Sequence, residues 1–375
     1  MQIKTSLIIL VFIFLASCTS VPIEVSTTAA PTSTETIPAA DINEQQNEYK
    51  VDEFSDDYYG LVHIESDEDF YKKGWIAIYD KRTNKELIKV LSDKISLDLH
   101  EGKIKANILE LPYGEQSLII YDDFNFDRIK DFAIRDEQVS CYGGPSFNVF
   151  LSQNGEFVFN QDFTRLAHEY CGMFQVDNKE QKIYTMTKSS CCWHQYSDFI
   201  VDNNIPVAQK IVEVEWLSPY HFVNTKEWND GKLTETEERH LSWKDIKDSS
   251  AFSFSFDLLN DNGKVFLFSL NGETLTYAIT TKDGVVKFNF PAERIPDENE
   301  KFSYINKQAR VILHFADKNI EYEIYENMNG DKIEEIGIQT TTDGQTVILE
   351  GDVATIQGNL MDVEKLKWNN VVFDE

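Results

Sequence analysis

Two groups of residues have types and spacings that could do chemistry. The first is Asp123-x-Asn125-x-Asp127 followed by Asp131. Alternate side chains in a tight loop point to one centre. Three carboxylates, the Asn125 amide oxygen and the Ile129 carbonyl would make a cage of hard oxygen donors, which selects Ca2+. A sparser set, Asn327, Asn329, Asp331 and Glu335, has only two carboxylates and is expected to bind more weakly or not at all. The second group is Ser140-Cys141-Tyr142-Gly143-Gly144-Pro145, then Cys171, then Ser189-Ser190-Cys191-Cys192-Trp193-His194. Three readings compete there. A free thiolate beside an imidazole could act as a nucleophile. His168, Cys171, one of Cys191 and Cys192, and His194 could hold zinc. Disulfides could pin two loops, displaying Tyr142, Ser190, His194 and Tyr196 as binding anchors for a partner.

The acidic loop resembles the calcium loops of EF-hands and of integrin-type propeller blades. With Ile134 rather than an acid at loop position 12, it is nearer the propeller form. Both families place Gly at the sixth position, where this chain has Arg128.

These groups must be positioned by strands. Segments such as 74–79, 117–121, 147–151 and 211–216 alternate and are β-rich, and long amphipathic helical stretches are nearly absent. Turn pairs Asn154-Gly155, Asp230-Gly231, Asn271-Gly272, Asp283-Gly284 and Asp343-Gly344 punctuate them. The fold class is therefore all-β. Residues 121–134 also align with 325–338, each preceded by alternating strands, which predicts a β domain over 58–245 and a divergent, shortened second β domain over 251–375.

The chain begins with Lys4 and an uncharged apolar run from Leu7 to Ala16, followed by Ser17-Cys18. That run is too short to span a bilayer, which needs roughly 20 residues, and suits a signal peptide over 1–17. Leu15-Ala16-Ser17-Cys18 resembles the bacterial lipobox, which implies acylation of Cys18. Thr19, in place of Asp, implies sorting to the outer membrane, facing the periplasm. Residues 18–57 are expected to be a tether, Ser-, Thr-, Ala- and Pro-rich up to about 48, with a reach of roughly 30 Å. An exported chain with Cys141, Cys171, Cys191 and Cys192 remaining is expected to form disulfides. Adjacent Cys191 and Cys192 are expected to bond to Cys141 and Cys171 rather than to each other. The net charge of −29 disfavours nucleic acid, whose phosphates need clustered Lys and Arg, and suits a cationic partner or a divalent cation.

Taken in order, the acidic loop, the Cys141–Pro145 turn and the Cys191–His194 segment behind a lipobox resemble a family. It is that of the periplasmic lipoprotein immunity proteins accompanying type IV secreted peptidoglycan hydrolases. That resemblance implies a propeller-like, calcium-binding inhibitor of a lysozyme-like enzyme, with no catalysis of its own. It covers about 58–240 and echoes weakly over 252–375, where the cysteine motifs have no counterpart. Ser190 stands where Gly is expected. A calcium-stabilised scaffolding lipoprotein without inhibitory activity is the alternative, and a hydrolase using His194 or a free cysteine is a third reading.

Overall fold

The computed structural model describes residues 47–66, 70–260, 263–269, 272–292, 299–307 and 309–374. The signal segment, Cys18, the tether up to residue 46 and Asn271 lie outside the described residues. From Gln45 onward the chain clusters as one unit.

The protein is nearly all β, built as a succession of antiparallel meanders in which spatial order follows chain order. The first sheet holds β1 (Glu48–Val51), β2 (Tyr58–Ile64), β3 (Lys72–Asp80) and β4 (Glu86–Ile95). A small hairpin, β5 (Leu99–His100) and β6 (Lys103–Ile104), leads to the second sheet. That sheet comprises β7 (Ile119–Asp122), β8 (Asp131–Arg135), β9 (Phe147–Gln153) and β10 (Glu156–Phe159). Helix α1 (Gln161–Glu169) precedes the third sheet. Its strands are β11 (Gln175–Asp177), β12 (Lys182–Ser189), β13 (Trp193–Asp202), β14 (Ile205–Leu217), β15 (Tyr220–Asn229) and β16 (Lys232–Leu241). Helix α2 (Trp243–Ser249) precedes the fourth, with β17 (Phe252–Asp257), β18 (Gly263–Ser269), β19 (Thr276–Thr281) and β20 (Val286–Phe290). The fifth has β21 (Phe302–Lys307), β22 (Arg310–Asp317), β23 (Ile320–Asn329), β24 (Lys332–Thr342) and β25 (Gln345–Glu350). β26 (Val371–Asp374) adds to it in parallel beside β21.

Each sheet buries a face against the next. Val62, Ile76, Ile78 and Ile88 of the first sheet meet Ile119, Phe132 and Ile134 of the second. Phe147, Val149 and Leu151 of the second, with Phe163 and Leu166 of α1, meet Ile183 and Phe199 of the third. Leu241 and Ile246 join the third sheet and α2 to Phe266 and Phe268 of the fourth. Phe254, Phe256 and Val265 of the fourth meet Phe302, Phe315 and Ile324 of the fifth. Sheets in this order are propeller-like, but among the described residues no apolar cluster joins the fifth sheet to the first.

Local chemistry accounts for the connections. Asn154-Gly155, Asp230-Gly231 and Asp343-Gly344 all take positive φ at both positions, the twist-matched two-residue turn of a hairpin. Asn160 caps α1 by accepting the N–H groups of Asp162 and Phe163, and Phe163, Leu166 and Ala167 are its buried stripe. β1 lies inside the stretch expected to be an unstructured tether. Tyr49 and Val51 supply apolar surface that the preceding Ser, Thr and Pro residues lack, and Val51 is buried in the first core.

Candidate functional site

The β7–β8 hairpin separates two sites. The acidic loop, residues 123–130, connects the strands at one end; residues 136–146 leave β8 at the other. Both ends are anchored to the third sheet, through different hairpin turns.

At the acidic end, Asp131 is fully buried and its two carboxylate oxygens accept the N–H groups of Phe124 and Ser152, both at 2.8 Å. Asp123 accepts from Asp127 and Arg128, and Asp127 accepts from Ile129 at 2.7 Å. The Asn125 amide donates to Asp127 at 3.1 Å and to Asn204 in the β13–β14 turn at 2.8 Å. Burial pushes the Asp131 carboxyl up to about 7 against these N–H groups, and the nearby charges of Asp127 and Asp123 add to the shift. Arg128 sits at φ 71°, the left-handed conformation for which glycine is favoured. Among the described residues, no three His, Cys, Asp or Glu side chains are gathered as a metal shell. The carboxylate oxygens of Asp123, Asp127 and Asp131 accept backbone N–H groups of the loop and of Ser152; as a donor set they are all oxygen and anionic, the chemistry that a hard cation would require.

The second acidic set has a different shape. Asn329 pairs with Lys332 across a two-residue turn, so 325–338 is a continuous β23–β24 hairpin without an intervening loop. Asn327 donates to Glu335 and Asn329 to Glu334, each at 2.7 Å, and Asp331 lies exposed at the tip. These side chains are spread along strands and do not converge.

At the opposite end the structure brings loop 140–145 against the β12–β13 turn. The Ser190 N–H donates to the Tyr142 hydroxyl oxygen. Tyr142 and Ser190 both have positive φ, 55° and 58°, so Ser190 adopts the backbone conformation that favours glycine. The Lys188 ammonium lies over the rings of Tyr113 and Tyr142, 4.1 and 5.0 Å from their centroids. Behind the clasp, Ser140 Oγ accepts the buried Gly172 N–H, and the Cys141 N–H donates to the Tyr170 carbonyl. Asp136 pairs with His168 of α1 at 3.1 Å and accepts from Ser146 Oγ at 2.7 Å.

Two hollows flank the clasp. The larger, 410 Å3, lies between the turn carrying Tyr113 and the faces of β12 and β13. The smaller, 200 Å3, lies between Tyr113, Lys188 and loop 140–145. Of the residues singled out from sequence, Tyr142 borders the smaller hollow and His194 and Tyr196 line the larger. The rings of His194 and Tyr196 are near parallel, and His194 Nδ1 is buried without a hydrogen-bond partner. Tyr113, Tyr184, Met186 and Lys188 escaped the sequence reading. The last three were findable: they alternate along β12 on the face that β13 continues with His194 and Tyr196.

The cysteine pairing differs from expectation. Cys141 bonds Cys171, with Cα atoms 4.7 Å apart, and Cys191 bonds Cys192. The Cys171 N–H donates to the Met186 carbonyl, which fixes Cys171 beside the middle of β12. From Met186 the hairpin tip is about 15 Å further along the strand, at roughly 3.3 Å per residue, and a disulfide cannot cross that gap. With these sulfurs bonded, neither the His168–Cys171–His194 zinc set nor a free thiolate beside His194 is assembled.

Fold and site together define an all-β protein with a disulfide-braced aromatic cleft at one end of its strands and an acidic loop at the other. No protein-family model and no curated protein matches the chain. Among solved structures it is similar to a type IV secretion system related protein from Xanthomonas, at 21% identity over 52% of this chain and 96% of that one, with a TM-score of 0.41. It is also similar to the β-propeller domain of the Trilobed protease from Pyrococcus furiosus, at 11% identity over 84% and 98%, with a TM-score of 0.18.

Proposed function

We propose that this chain is an outer-membrane lipoprotein that binds and inhibits a lysozyme-like peptidoglycan hydrolase, protecting the wall of the cell that makes it. The observation that carries the reading is the Tyr142–Ser190 clasp. It holds two loops in one arrangement, so their exposed groups lose little freedom on binding. Lysozyme-like enzymes work with two carboxyl groups in a cleft, one of them a raised-pKa acid. The Tyr142 and Tyr196 hydroxyls can hydrogen-bond such carboxyls beside the His194 ring, and the net charge of −29 would steer the protein toward a basic enzyme. Asp123, Asn125, Asp127, Asp131 and the Ile129 carbonyl would hold Ca2+, neutralising the charge around Asp131 and bracing the hairpin from its far end. The exposed Asp331 hairpin offers no comparable cage. Titrating the protein against a panel of muramidases tests the reading: inhibition of at least one is expected, and binding to none overturns it.

A calcium-stabilised scaffold without inhibitory activity is the second reading. It is favoured by Asn125, which ties the acidic loop to the Asn204 turn and so links two sheets far from the cleft.

A further inference from the structure

The 410 Å3 hollow has a composition that selects its occupant. Across β12 and β13 the register pairs are Tyr184–Asp198, Met186–Tyr196 and Lys188–His194, which puts Tyr184, Met186, His194 and Tyr196 on one face. Tyr113 closes the hollow from the opposite side, its hydroxyl 3.7 Å from the Met186 sulfur, and Met173 completes the wall. Three phenol rings therefore surround a polarisable thioether floor. Ring faces carry negative potential and attract cations. The chain itself uses them so: in the adjoining hollow, Lys188 places its ammonium over Tyr113 and Tyr142. The chain as a whole carries a net charge of −29. Beside Tyr184, Asp198 pairs with Lys182 at 3.9 Å, and burial, then the charges of Asp198, Asp177 and Glu180, raise the Tyr184 hydroxyl pKa.

We infer that this hollow receives the cationic side chain, lysine or arginine, of a basic protein partner. The inference deepens the proposed function and rests on it: the partner would dock on the clasp and insert one basic residue beside it. A neutral sugar ring could stack on the same tyrosines but would gain nothing from the chain's net charge of −29.

The full chain, labelled at its methionine methyl groups, reports on the hollow through Met173 and Met186. The probes are Nα-acetyl-lysine methylamide, Nα-acetyl-arginine methylamide, their neutral isostere Nα-acetyl-norleucine methylamide, and N-acetylglucosamine. The cationic probes are expected to shift both signals and to bind at least about fivefold more tightly than norleucine. That advantage should shrink between about 0.02 and about 0.5 M salt. Tyr196→Ala should remove it and Tyr196→Phe keep it. Tyr196 is half exposed, so the alanine variant is expected to fold, as its thermal unfolding will report. Equal binding of norleucine, a response to N-acetylglucosamine alone, or undiminished binding by Tyr196→Ala overturns the inference. A hydrolase that binds parent and Tyr196→Ala equally overturns the inference and leaves the proposed function standing. Cationic probes that bind a protein recognising no hydrolase overturn the function and leave the inference standing.

Discussion

Tyr142 and Ser190 lie 48 residues apart in the chain, both in the left-handed region of backbone space, and meet through a hydrogen bond from the Ser190 N–H to the Tyr142 hydroxyl. Tyr142→Phe removes this bond but keeps the ring under Lys188. A net loss of about 1 kcal/mol is expected, read as a fall in the urea midpoint. Ser190→Gly should retain the clasp, because glycine adopts this φ without strain. Tyr142→Ala combined with His194→Ala should weaken hydrolase binding at least tenfold, about 1.4 kcal/mol. Inhibition equal to the parent's would move the binding surface elsewhere.

The acidic loop should respond to calcium. A ligand bound only by the folded state raises the melting temperature. Asp127→Ala should abolish the rise, whereas Asp331→Ala, at an exposed hairpin tip, should leave it intact. Calorimetry with calcium and with a chelator separates the cases, and identical shifts in all three proteins would remove the site.

Arg128 holds a positive φ that an L-residue occupies at a cost. Arg128→Gly relieves this strain but makes the unfolded chain freer, so stability should change by less than about 1 kcal/mol. Arg128→Val should cost about 1–3 kcal/mol, because a β-branched residue tolerates this region worst. Comparing the two urea midpoints checks the positive φ at position 128.

The two disulfides should contribute very differently. Cys141–Cys171 closes a loop of sequence separation 30, and losing it should cost about 3.5 kcal/mol. Cys191–Cys192 closes essentially no chain, so replacing both by Ser should cost less than about 1 kcal/mol. Peptide mapping without reductant should recover these two links, and a link from Cys171 to Cys191 or Cys192 would contradict the fold at the hairpin tip.

The Asp136–His168 pair makes a pH-dependent contribution. Its hydrogen bond to Asp136 raises the His168 pKa above 6.5. That part of the stabilisation is complete below 6.5 and is lost as pH rises through the folded value. Asp136 is lowered below 3.8: burial opposes the shift, but the His168 and Ser146 hydrogen bonds and the His168 charge outweigh it. Its contribution is complete above 3.8 and is lost as pH falls through the folded value. His168→Gln should therefore reduce the urea midpoint more near pH 5.5 than near pH 8.5. An equal loss at both would mean the ion pair contributes nothing.

The amino-acid order by itself determined the features that depend on near neighbours. Alternation marked most strands. Asn154-Gly155, Asp230-Gly231 and Asp343-Gly344 marked hairpins, because the left-handed backbone of each turn is decided within two residues. The Asp123–Asp131 spacing marked a loop closed by its own carboxylates. Tertiary structure decided whatever depends on which segments meet. The 121–134 and 325–338 repeats read alike, yet only the first opens into a loop, because β24 pairs with β23 as far as Asn329. Cys191 and Cys192 could have bonded anything by composition; the seat of Cys171 beside Met186 put the hairpin tip beyond its reach. Tyr113 entered the cleft for the same reason. Nothing near it in sequence calls for Met186, 73 residues away, and only the packing of its turn across the third sheet brings the two together.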